Sequence, residues 1–69
     1  MAKHIDAGKA VKAAQASKGI SNAEFARIAN TSPQQVIRWR NQFNMKLHTM
    51  QDVCQVLEID VLDFFRLGK

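Results

Sequence analysis

The stretch SNAEFARIANTSPQQVIRWR, Ser21 to Arg40, decides the fold, because it holds two helix starts separated by a short turn. Glu24 stands three residues after Ser21, the spacing of a capping box. In that motif the hydroxyl accepts from the Glu24 N–H and the carboxylate reaches back to the Ser21 N–H. Ser32, Pro33 and Gln35 repeat the signal, with proline at the first helical position, where its missing N–H is not needed. Phe25, Ala26, Ile28 and Ala29 form the expected inward side of the first helix. Val36, Trp39 and Phe43 fall at i, i+3 and i+7 and form the expected buried stripe of the second. Between the two, Asn30 tolerates the left-handed backbone that a sharp turn demands.

Working outward, the flanks supply more helices. One runs from about Asp6, its N-cap, to Lys18, and Gly19 ends it at the position where left-handed backbone is needed. Ala7, Ala10, Val11 and Ala14 are its inward stripe, small enough to let another helix approach closely. NQFNMKLH, residues 41–48, is expected to be a loop. Thr49, with Asp52 three positions on, is expected to cap a fourth helix whose apolar side is Met50, Val53, Cys54 and Leu57. Asp60 is the expected cap of a short fifth helix, VLDFFRLG, that ends at Gly68. No repeat or linker interrupts this series. The expected fold class is all-α, a compact five-helix bundle, with residues 1–69 as a single domain.

Composition agrees. At 46% hydrophobic residues the chain is globular rather than disordered. A chain of 69 residues hides only about 60% of its unfolded surface, so a helical bundle, a dimer or both would help it. Residues 1–49 carry eight Lys/Arg against two acids, whereas residues 50–69 carry two against four. The first two-thirds would attract a polyanion and the last third would not. The lone Cys54 allows no intrachain disulfide, which fits a reducing compartment. No apolar run approaches the ~20 residues that cross a bilayer, and MAKHIDAGK lacks the apolar core of a signal peptide. The expected location is the cytoplasm.

So short a connection between the helices of the opening stretch forces a steep crossing, with the small Ala26 at their meeting point. This is a helix-turn-helix. The stretch resembles the helix-turn-helix of the lambda-repressor-like (Cro/cI, XRE-type) DNA-binding proteins. Phe25-Ala26 is similar to that family's Leu-Ala pair, Ala29 to its next buried position, and Val36 and Trp39 to the buried positions of its recognition helix. LHTMQDVCQVLEIDVLDFF resembles the family's fourth and fifth helices and KAVKAAQASKGIS its first, so the likeness covers about residues 5–67. Two departures stand out. The turn position usually held by Gly is Asn30. Many relatives pair an Arg near the end of helix one with a Glu late in helix three, and those positions here are Gln15 and Arg40. The ion pair is thus expected to be absent or reversed, leaving Arg40 free to meet phosphate.

If Val36, Trp39 and Phe43 point inward, the opposite face carries Gln34, Ile37, Arg38 and Asn41, with Ser32 and Pro33 at the exposed tip. That tip is the end that enters the major groove in helix-turn-helix proteins. Gln34 and Arg38 are one turn apart and point the same way. Gln suits adenine N6/N7, Arg suits guanine O6/N7, and Ile37 suits a thymine methyl. The expected base-reading set is Ser32, Pro33, Gln34, Gln35, Ile37, Arg38 and Asn41. The expected phosphate set is Asn22, at a position that often holds phosphate in the family, with Arg40, Asn44 and Lys46. Ser21 is read as only a cap, Trp39 as core, and Arg27 is left unassigned.

In the last helix Val61, Leu62, Phe64, Phe65 and Leu67 are too many apolar groups for one face. Val61, Phe64 and Phe65 suit the core, and Leu62, Phe65 and Leu67 are candidates for a dimer contact, which the resemblance also places in this region. No cofactor is implied. His4 and His48 lie far apart without a Cys or carboxylate at ligand spacing, so no metal site is suggested. Cys54 reads as a buried small hydrophobe, and Asp60 with Asp63 as a cap and its partner, so no enzyme is expected. The resemblance implies a DNA-binding transcriptional regulator, in particular a phage or prophage Cro-like repressor that binds a palindromic operator as a homodimer. QQVIRWRNQF also resembles phage cII-type activators, although those continue into a further helical region. A protein-interaction module on the same fold, such as an antitoxin or antirepressor, is the reading from another class. The basic first two-thirds argues against it.

Overall fold

Asp6 Oδ1 accepts the Lys9 N–H at 3.1 Å and starts α1 (Ala7–Lys18), as its position in the sequence leads one to expect. The computed structural model describes residues 6–69, so His4 lies outside the described residues. Gly19 closes α1 with φ 67°. Ser21 Oγ takes the Glu24 N–H at 3.1 Å and opens α2 (Asn22–Ile28). Asn30, at φ 58°, ends it in a Schellman turn: Thr31 N–H donates to Ala26 O and Asn30 N–H to Arg27 O. Ser32 Oγ takes the Gln35 N–H and Pro33 begins α3 (Pro33–Asn41). α4 (Leu47–Leu57) and α5 (Val61–Leu67) complete the chain, and Asp60 caps α5 through the Leu62 N–H. The described residues hold no strand.

All five helices feed one core. Ala7, Ala10, Val11 and Ala14 are fully buried along α1, so the small-residue stripe does admit its neighbours closely. Phe25 of α2, Val36 of α3 and Phe64 of α5 are also fully buried, with Val53, Cys54 and Leu57 of α4 beside them. Burial of each large side chain favours folding by about 1.5–3 kcal/mol. Trp39 is half-buried and packs its ring against Phe25, centroids 5.7 Å apart and tilted by 48°. Burial pushes the Cys54 thiol above its ordinary value, and the nearby Asp60 carboxylate pushes the same way.

Several expectations fail. Phe43 does not extend the buried stripe: α3 stops at Asn41, the backbone at Gln42 turns extended, and Phe43 is 48% exposed. Ile28 is 40% exposed rather than inward, because Phe25 and Ala26 already fill the inner face of so short a helix. The loop is shorter than residues 41–48, since Asn41 is still helical and α4 starts at Leu47. The Met50 N–H bonds to the Lys46 carbonyl at 3.0 Å and closes the first turn ahead of Thr49. Lys46 is therefore the N-cap, with no side-chain bond, and Thr49 is not. The Ser21 box is half made. Its Oγ bond forms, but the Glu24 carboxylate turns to Arg27.

Glu58 ends α4 in the left-handed region at φ 56°, with no signal for it in the sequence. Its N–H donates to Gln55 O and that of Ile59 to Cys54 O, the same turn that Asn30 makes.

Candidate nucleic-acid interface

The start of α3 stands clear of the bundle. Ser32, Pro33 and Gln34 are exposed, and so are Ile37, Arg38 and Asn41, while Val36 on the opposite side is fully buried. Residues 34, 37, 38 and 41 follow helical spacing, so they share one outward face. Ile37 is 47% exposed there. It forms an apolar surface flanked by an amide and a guanidinium, a set that matches a thymine methyl beside purine edges. Gln35 departs from this set. It is half-buried and lines a groove between α3 and α4 with Trp39 and Thr49.

The residues after α3 carry the next polar groups. Asn44 and Lys46 are exposed in the segment that leads into α4. At the start of α2, Asn22 is half-buried, and its Oδ1 accepts from Gln15 Nε2 at 2.9 Å. Arg40 is not free. Its Nη1 donates to Gln15 Oε1 at 2.6 Å, so a charged–neutral hydrogen bond stands where the sequence resemblance leads one to look for an ion pair. The guanidinium is held at the junction of α1 and α3, where it lines a groove with Lys9, Lys12 and Asn41. Sequence reasoning did not single out the two lysines, although their i, i+3 spacing on α1 puts them on one face.

Arg27, unassigned from sequence, pairs with Glu24 within α2. The hydrogen bond from Arg27, with its charge, holds the Glu24 carboxyl below its ordinary value. The pair is exposed, so it adds little to stability. It also neutralises a carboxylate on the helix whose start carries Asn22. At the other end of the chain Leu62 is 64% exposed, whereas Phe65 and Leu67 are half-buried against the core. Among the described residues, no helix is long and apolar enough to cross a membrane.

A comparison with curated protein sequences gives no significant match. A family model matches residues 14–68, and its description is a Cro/C1-type HTH DNA-binding domain.

Proposed function

Because the chain belongs to the Cro/C1-type HTH DNA-binding family, and so is a DNA-binding transcription regulator, we propose that it lays the exposed face of α3 in the major groove of a palindromic operator. The observation that carries this reading is the split of α3: Val36 is fully buried while Gln34, Ile37, Arg38 and Asn41 are exposed together. In this reading Gln34 and Arg38 read purine edges through paired hydrogen bonds and Ile37 touches a thymine methyl. Ser32, Pro33 and Asn41 line the approach, and Gln35 takes part only from the side of the groove. Asn22, Asn44 and Lys46 hold phosphates, and Arg40 reaches the backbone only with the donors that Gln15 leaves over.

The protein acts as a dimer, with Leu62 at the centre of the contact and Phe65 and Leu67 contributing their exposed edges. Two recognition helices then lie about one DNA turn apart, ~34 Å. Occupying an operator is enough to block transcription, and we place the protein with the Cro-like repressors of phages and prophages. Location in the cytoplasm follows from that role.

Titrating a random-sequence duplex at two salt concentrations tests the phosphate set. Each phosphate that the protein neutralises adds ~0.9 to the steepness with which log K falls against log salt. Lys46→Ala is expected to weaken all sequences alike and to make that slope shallower by about the same amount. Affinity that ignores salt would favour the protein-interaction module instead.

A further inference from the structure

The polar network where α1, α2 and α3 meet centres on Gln15. Gln15 is 4% exposed, and both ends of its amide are engaged. Its Oε1 accepts from Arg40 Nη1 at 2.6 Å, and its Nε2 donates to the Ile20 carbonyl at 3.1 Å and to Asn22 Oδ1 at 2.9 Å. Chemistry fixes the direction of each bond. A guanidinium only donates, so the Gln15 carbonyl must face Arg40. A peptide carbonyl only accepts, so the Gln15 amide nitrogen must face Ile20. The same nitrogen then needs an acceptor in Asn22, which turns Asn22 Oδ1 inward and leaves its NH2 as the end that Gln15 does not hold. Flipping Asn22 would set two donors against each other at a nearly buried site, an arrangement that costs the full desolvation of an unmade bond.

We propose that Gln15 is a positioning residue for DNA binding: anchored by Arg40, it locks the Asn22 side chain with its amide donors turned away from the junction, the orientation that a DNA backbone phosphate requires. A phosphate oxygen only accepts, so the locked rotamer is the productive one and the flipped rotamer is repelled. The departure from the family's ion pair thereby has a consequence in this chain. The donor-only group sits on α3, the relay on α1, and the phosphate-binding amide on α2. The inference rests on the phosphate role proposed above for Asn22.

Gln15→Glu tests it. The carboxylate still accepts from Arg40, but it cannot donate, so Asn22 must turn its NH2 inward to meet it and present Oδ1 to the phosphate. For a duplex recovered by selection from a random-sequence pool, Kd is expected to rise about tenfold, the loss of one hydrogen bond to a charged group. The added negative charge is separated out in the Asn22→Ala background, where Gln15→Glu should cost less than about twofold. An equal loss in both backgrounds overturns the inference. A methylphosphonate scan of the same duplex supplies a readout that a purely structural role would not move. One neutralised phosphate should weaken the wild type but neither Asn22→Ala nor Gln15→Glu. Gln15→Met removes the anchor without adding charge and should reproduce the loss at that phosphate if Gln15→Glu fails to fold.

Failure here is distinguishable from failure of the functional reading. If the wild type binds no duplex, that reading falls and takes the inference with it. If it binds, and Asn22→Ala weakens it while Gln15→Glu and Gln15→Met do not, the inference alone falls. If Asn22→Ala costs nothing, the phosphate role of Asn22 and its positioning by Gln15 fall together.

Discussion

The starts of α1 and α3 use the same local grammar and come to opposite ends. Each has a short polar side chain that accepts the N–H three residues on, Asp6 for Lys9 and Ser32 for Gln35. At α1 the remaining donors are taken by distant backbone: Asp6 N–H by Gly68 O, Ala7 N–H by Phe43 O and Gly8 N–H by Gln42 O. That start is sealed, and it ties the ends of α3 and α5 to one point. At α3 proline removes a donor, Ser32 serves only its own helix, and Ser32, Pro33 and Gln34 stay exposed. A helix start is a structural rivet when the rest of the fold supplies its acceptors. It is open to an outside ligand when the fold leaves it bare.

The sharpest way to break this contrast is Gly8→Ala. By helix propensity alone the change should stabilise by about 1 kcal/mol. A Cβ on Gly8, however, would lie 2.7 Å from Gln42 O and closer still to Arg40 O, both backbone atoms. We expect a loss of about 3 kcal/mol in urea unfolding, and a gain would show that the α1 start is not sealed. Ser32→Ala touches the open start. It should cost about 1 kcal/mol, the worth of a single side-chain cap, with no effect on the packing of α1. The smallest change sharpens the view of the helix ends. Glu58→Gly relieves a left-handed backbone and should raise stability by up to roughly 1 kcal/mol, measured by the same unfolding curves.

Much of this was legible because local chemistry decided it. Asp6, Ser21, Ser32 and Asp60 all cap the helices they were expected to cap, and Gly19 and Asn30 adopt the left-handed turns expected of them. The alanine stripe and Val36 faced inward because helical spacing left no other arrangement. Phe43 misled for the same reason: periodicity runs on in a sequence after the hydrogen-bond ladder has stopped. Gly8 looks like a weak spot in a helix, and only the approach of α3 shows why no side chain is tolerated there. Gln15 and Arg40 stand out in the sequence as a departure, yet their partnership depends on the crossing of α1 and α3, which spacing along the chain does not encode. The outward set of α3 was legible by subtraction from its buried side, except for Gln35, whose direction depends on where α4 packs.

The central claim is that the exposed face of α3, not the sealed end of α1, discriminates sequence. Selection of duplexes from a random pool with the wild type and with Arg38→Ala, alongside their unfolding curves, tests it most directly. Arg38 is exposed, so both proteins should unfold together. The wild type should return a palindrome with a guanine that Arg38→Ala no longer selects, at a cost of roughly 1–3 kcal/mol on the wild-type site. Identical selected sequences from the two proteins, with equal affinity, would contradict the account.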